Sequence, residues 1–299
     1  MCEGMTVEIE TMGSSQRAHV GMCGTHRFPR HWQCFLPSGR LHALAILDGK
    51  ILIDAPPTLL AQLRRSNIST GQVEHILFTH WHGDHTFGFP FLILDRKYIT
   101  DASADKTLTV HHRPGGKEYL TSLSKLGFPG SLEDFLESRI YWNEEESGIL
   151  GGSEWAYERF PVRHTPETDP HGYELVHQSG FRLLHCGDSG PCSEIEIRAE
   201  SADVVLLEMG MPDIGEFPHH HRPSDVIAFW QRFPNTKVLV THNYAKSPDS
   251  ELGFDIPELP EGIVQLNDGA SIDVHDNGCL LYTSPSPRDR TRSRMPSSA

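Results

Sequence analysis

Long hydrophobic runs are missing from this 299-residue chain. Nowhere do about 18 uninterrupted apolar residues occur, so no membrane span is indicated. The opening residues MCEGMTVEIETMG lack both the basic start and the apolar stretch of a signal peptide. The cysteines at 2, 23, 34, 186, 192 and 279 form no CxxC pair and no regular spacing. That argues against a zinc knuckle and a disulfide framework, and leaves free thiols in a reducing compartment as the expectation. Basic charge is also scarce. The formal charge is −14, and because the last seventeen residues hold four Arg and one Asp, the body alone is near −17. Such a body repels phosphate backbones at long range, and no basic run inside it offers a local grip. The expected protein is soluble and cytoplasmic, without a membrane partner.

Core material is plentiful, enough for one large or two modest cores. Residues 1 to 15 are polar and aperiodic and read as disordered. Residues 41 to 47 and 50 to 55 read as strands joined by a DG turn, and a helix is expected from Thr58. VEHILFTH (73–80) is a buried strand. A strand at 107 to 112, helical stretches near 116 to 126 and 131 to 138, and a second series of strands follow: WAYERFPVRH, GYELVH, FRLLHC, DVVLLEM and KVLVTH. A helix over 224 to 233 is expected to take Ser224 as its cap. Strands alternating with helices indicate a layered α/β protein, with no repeat of solenoid period. The tail from 283 to 299, rich in Ser, Pro and Arg, reads as disordered and non-native. Its deletion is expected to leave activity unchanged.

The chemistry begins at THWHGDH, which places His80, His82, Asp84 and His85 directly behind a buried strand. In an extended segment residues i and i+2 share a side, so His80 and His82 can converge on one ion. A turn at Gly83 can redirect Asp84 and His85 toward another. Imidazole and carboxylate without thiolate suit zinc, manganese or iron and an open site. A lone HxH would be better read as a solvated turn. Here three further apolar runs end on ligand-type residues: His164 in PVRHTP, Asp188 in LHCGDSG and His242 in VLVTHNY. An active site built at one edge of a sheet places its residues this way.

With HxHxDH followed by a later His, an Asp and a final His, the chain resembles the metallo-β-lactamase superfamily over about residues 18 to 280. THWHGDHTFGFPFLI, HTPETDPHGYELV, HCGDSGPC and VTHNY look like its ribonuclease Z branch and that branch's cyclic-nucleotide phosphodiesterase relatives. The resemblance implies a four-layer αββα sandwich over residues 16 to 282. It implies one ion on His80, His82 and His164, a second on Asp84, His85 and His242, and Asp188 between them. His171 competes with His164 for the middle role, and His164 is preferred. In the branch a histidine precedes the last helix, near the leaving group. Of His219, His220 and His221, the spacing to SDVIAFW matches His220 best, with His221 the fallback. Asp84 and His220 are the catalytic candidates.

The implied activity is a dinuclear hydrolase, with two divalent ions, zinc first, about 3.5 to 4 Å apart and sharing a hydroxide. The expected substrate is a small phosphodiester or cyclic nucleotide. Only 53 residues separate Asp188 from His242, without the basic arm that grips transfer RNA, and NYAKSPDS after His242 departs from the branch's usual pattern. Transfer RNA 3′-processing, with RNA as partner, and hydrolysis of lactones, thioesters or carbon esters are the alternatives. The resemblance also implies a homodimer. Cys186 reads as a small core residue, whereas Thr79, Trp81 and Tyr244 are candidates for either pocket lining or packing.

Overall fold

The DG turn closes a hairpin. β2 (Ala45–Leu47) and β3 (Ile51–Ile53) pair antiparallel with Leu47 opposite Ile51, and Asp48 and Gly49 both take left-handed backbone angles. This computed structural model describes residues 7–11, 42–243, 258–266, 270–274 and 280–283. The hairpin lies at the centre of an eight-stranded sheet. One side of it carries β1 (Val7–Thr11), β14 (Ala270–Val274) and β15 (Leu280–Thr283). The other side adds β4 (His75–Leu77), β5 (Leu108–His111) and β6 (Ile140–Asn143), all parallel to β3.

A second sheet of seven strands runs in the order β13 (Ile263–Gln265), β12 (Lys237–Asn243), β11 (Val204–Met209), β10 (Arg182–His185), β9 (His171–His177), β8 (Trp155–Pro161) and β7 (Ser147–Ile149). Strand alternation divides its apolar residues between two cores. Leu47, Ile53 and Leu77 meet Tyr173, Leu183 and Leu206 between the sheets. Their neighbours Ile46, Leu52 and Ile76 face outward against α1 (Leu59–Arg65), α3 (Phe89–Asp95), α4 (Gly116–Gly127) and α5 (Glu133–Ser138). On the far side Val205, Leu207 and Val240 pack with Ile195 of α6 (Ser193–Ala199) and with Val226 and Phe229 of α7 (Pro223–Arg232). The result is the four-layer αββα sandwich. Among the described residues no helix is long and apolar enough to cross a membrane.

Three local expectations need correction. The stretch read as a disordered N-terminus contains β1, whose VEIET alternation carries only two apolar residues but pairs with both β2 and β14. The C-terminal tail begins one residue too early, since Thr283 pairs with Ser271; residues 284–299 lie outside the described residues. The cap of α7 is Arg222, with Pro223 at the first helical position. Ser224 instead bonds Asp213, its hydroxyl lying 2.5 Å from Oδ1. α3 is an element without a sequence signature, because FPFLILD is almost entirely apolar and shows no helical stripe.

Candidate metal centre

Each expected ligand stands just beyond or at the end of a strand, on the same edge of the two sheets. β4 leads through His80 to His82, which is extended, and the chain then turns into α2 (Gly83–Thr86), which carries Asp84 and His85. His164 follows β8, and Asp188 follows β10. His242 needs more than a strand end. Between β11 and β12 the register slips, so that Glu208 faces Thr241 and Met209 faces Asn243. His242 is the unpaired extra residue, with φ at +46°. A bulge of this kind re-aims a side chain at a local cost of about 1–3 kcal/mol for a non-glycine residue in the left-handed region.

These seven side chains converge. His80 Nε2 lies 3.0 Å from His82 Nδ1, and His164 Nε2 lies 3.2 Å from the same atom. Asp84, His85, Asp188 and His242 form a second group, with ligand atoms all within 4.8 Å of one another. Asp188 joins the two groups: Oδ1 is 3.4 Å from His85 Nε2, and Oδ2 is 3.3 Å from His242 Nε2 and 3.9 Å from His80 Nε2. His171 stays outside. Its Nδ1 is spent on the Asp169 carbonyl at 2.8 Å, which leaves His164 as the histidine the geometry brings in.

The residues fit a pair of divalent cations. Asp188 Oδ2 and both ring nitrogens of His242 are buried polar atoms without a hydrogen-bond partner, a costly state in a finished protein interior. An ion bound tetrahedrally at about 2.0–2.1 Å sets neighbouring nitrogens about 3.3 Å apart, close to the spacings within the first histidine group. The donor set is nitrogen and oxygen only. Cys186, the nearest thiol in sequence, is buried in the core beneath α6, and burial pushes its thiol up.

Two buried carboxylates stand behind these side chains, and neither is singled out by the sequence. Asp54, at the end of β3, accepts from Thr79 N at 2.8 Å, from Thr79 Oγ1 at 2.7 Å and from His85 Nδ1 at 2.8 Å. Because the Thr79 hydroxyl proton goes to Asp54, Thr79 Oγ1 accepts from His80 Nδ1 at 3.1 Å. Both imidazoles are thereby fixed with Nε2 facing inward. Thr79 thus supports the site and does not line it. Glu208, on β11, is the other carboxylate. It receives His220 Nδ1 at 2.8 Å and stands 3.8 Å from His242 Nδ1. An acid ending ILID and a lone acid inside VVLLEM were the available signals.

Charge follows this architecture. Burial drives His80 well below its ordinary value, with His85 adding to the effect. Burial also opposes a proton on His85, but Asp188 and Asp54 overcome it and raise the ring well above its usual range. Burial works against His220 as well, yet the Glu208 hydrogen bond and charge raise it to about 9. Its ring lies 4.8 Å from that of His164 and stacks at 6.0 Å on His242. Neither neighbour in the triplet stacks on His242, and the His219 ring lies farther from that of His164, at 6.4 Å. The His219 carbonyl accepts from His164 Nδ1, and His221 is buried with Nδ1 turned onto the Ser189 carbonyl. Trp81 packs between Phe78 and Tyr119, and Tyr244 lies outside the described residues.

Residues 50–243 match the family model described as the beta-lactamase superfamily domain. The chain belongs to the β-lactamase superfamily, in its ribonuclease Z-like branch. Ribonuclease Z of Staphylococcus carnosus is 30% identical over 241 residues, covering 64% of this chain and 77% of the relative. Ribonuclease Z of Oenococcus oeni is 27% identical over 202 residues, covering 62% of this chain and 59% of the relative's length. The metallo-β-lactamase fold protein YhfI from Bacillus subtilis superposes over 89% of this chain and 98% of its own, with a TM-score of 0.66 and 11% identity. A metal-dependent hydrolase is the class this membership supports.

Proposed function

We propose that the chain is a dinuclear metal-dependent phosphodiesterase acting on a small phosphodiester or cyclic nucleotide, carried by one domain from β1 to β15. The observation that carries this reading is Asp188, buried with Oδ1 toward His85 and Oδ2 between His242 and His80, so that one carboxylate faces both halves of a seven-ligand cluster. His80, His82 and His164 would hold one divalent ion, and Asp84, His85 and His242 the other. Asp188 would touch both. Zinc suits the donors best, with manganese or iron next. When bound, the two ions acidify a water and neutralise charge developing on phosphorus.

The protein's own residues do the rest. Asp54 keeps His80 and His85 in the tautomer that offers Nε2 to the centre. His82 and Asp84, the half-buried ligands, mark the side from which a substrate arrives. His220 offers a proton to the departing oxygen from Nε2, because Nδ1 is bound by Glu208, and that carboxylate keeps the ring charged near neutral pH. The acidic body and the absence of a basic extension between Asp188 and His242 favour a compact substrate over transfer RNA. The ribonuclease Z relatives favour the second reading, transfer RNA 3′-processing. A cytoplasmic homodimer completes the proposal.

Metal analysis with a substrate panel tests it: cyclic mononucleotides, bis-aryl phosphate, precursor transfer RNA, a lactone and a thioester. Two transition-metal ions per chain with turnover of the small phosphodiesters is the expected result. One ion per chain, or turnover of the carbon esters alone, overturns the reading. Preferred cleavage of precursor transfer RNA selects the second.

A further inference from the structure

His82 differs from the other histidines of its group in how it is held. His80 has Thr79 behind it and His164 has the His219 carbonyl, each bonded to the ring nitrogen that faces away from the centre. His82 turns Nδ1 inward, and among the described residues nothing bonds its Nε2. Its ring is also only half-buried. Its direction therefore has to come from the main chain.

That main chain is gripped on three sides. Trp81 N donates to the Thr168 carbonyl at 3.1 Å. The Tyr119 hydroxyl donates to the Trp81 carbonyl at 3.1 Å, and the Thr86 hydroxyl donates to the His82 carbonyl at 2.9 Å. The two hydroxyls lie 3.0 Å apart. The Trp81 carbonyl belongs to the same planar peptide unit as the His82 N–H, so holding that oxygen sets the plane from which the imidazole projects. Tyr119 reaches it from α4, an element otherwise separate from the metal-binding edge. α4 comes this close because its first residue is Gly116, where a Cβ would lie 2.6 Å from the tip of the Trp81 ring. The Tyr119 ring then packs on the same indole, with centroids 5.3 Å apart.

We propose that Tyr119 is a positioning residue for the metal centre, its hydroxyl acting through the Trp81 carbonyl to supply His82 with the outer support that the other histidines of its group receive directly. This rests on the dinuclear reading above. It predicts an effect confined to one half of the site: the ion on His80, His82 and His164 depends on Tyr119, and the ion on Asp84, His85 and His242 does not. Removing an outer support of a ligand typically weakens metal binding by about 10- to 100-fold, and an indirect one belongs at the lower end.

The test is stepwise zinc release from the holoenzyme by a competing chelator, for wild type, Tyr119→Phe, Thr86→Val and Thr86→Ser, with thermal unfolding followed in parallel. Tyr119→Phe should release one zinc at about tenfold lower chelator and leave the second step in place. Thr86→Val should do the same, and Thr86→Ser, which keeps a hydroxyl, should behave as wild type. Unchanged release in Tyr119→Phe overturns the proposal, whatever Thr86→Val does. So does equal weakening of both steps with a matching loss of melting temperature, since that describes damage to the fold. A wild type that holds fewer than two ions defeats the dinuclear reading itself, a result distinguishable because it appears before any substitution.

Discussion

Buried Glu208 bonds half-buried His220, Nδ1 to Oε1 at 2.8 Å, and the second oxygen of the same carboxylate faces His242 at 3.8 Å. One side chain thus bonds the proposed proton donor and sets a negative charge beside a proposed metal ligand. Glu208→Gln removes the charge that holds His220 up. Activity that requires a protonated His220 is then lost at lower pH, so the rate at pH 8 should fall more than the rate at pH 6. His220→Ala should slow turnover by about 100-fold or more at every pH while zinc content stays at the wild-type level. A pH–rate profile and metal analysis check both; loss of zinc from His220→Ala would make that residue a ligand.

Asp54 presents a different dependence. Its carboxylate accepts three hydrogen bonds, and at φ +66° its backbone is one that asparagine also tolerates. Asp54→Asn should keep the fold, yet its amide nitrogen must face either the Thr79 backbone N–H, at the Oδ1 position, or the Thr79 hydroxyl and His85 Nδ1 together, at the Oδ2 position. Facing a donor, His85 Nδ1 becomes an acceptor and Nε2 takes the proton that blocks its lone pair. Zinc affinity should drop by about 10- to 100-fold. Isothermal titration with zinc measures it, and an affinity equal to wild type would remove Asp54 from the site.

Stability at low pH should depend on a histidine far from this chemistry. His111 lies between the sheets with Nε2 3.0 Å from His75 Nδ1, and burial, reinforced by the His75 and Arg159 charges, lowers it to about 3. The unfolded chain takes up a proton there near pH 6.5, whereas the folded protein does not until about pH 3. Its contribution is therefore full above about pH 6.5 and declines as pH falls toward 3, by up to about 1.4 kcal/mol per pH unit. His111→Gln should be less sensitive by about 2 kcal/mol between pH 7 and pH 5 in urea unfolding at matched zinc content. Parallel curves for the two proteins would show that His111 titrates normally.

The four segments that build the centre were legible because each places a ligand directly after an apolar run, where an extended chain leaves a sheet. His80, His164, Asp188 and His242 all obey that rule, and so does Asp54, which was passed over because no partner in its own segment marks it. Glu208 sits inside its strand, and its importance arises from side chains that arrive 12 and 34 residues later. The slip that aims His242 inward was not readable either, since VLVTHNY carries no glycine to announce a bulge. Nothing in the triplet itself distinguishes His220: His221 is one residue away, yet its Nδ1 goes to the Ser189 carbonyl and not to Glu208.

Each half of the centre also draws on both layers of the sandwich. His80 and His82 leave the first sheet, and His164 leaves the second; Asp84 and His85 follow the first, and His242 and Asp188 the second. The two ions would then act as rivets through a seam, adding to the main-chain bonds from His171 N to the Thr79 carbonyl and from Trp81 N to the Thr168 carbonyl that already cross it. Stripping the metal would take away more than a reagent. It would unlatch one edge of the sandwich, so that the loss of chemistry and the loosening of the two sheets become a single event.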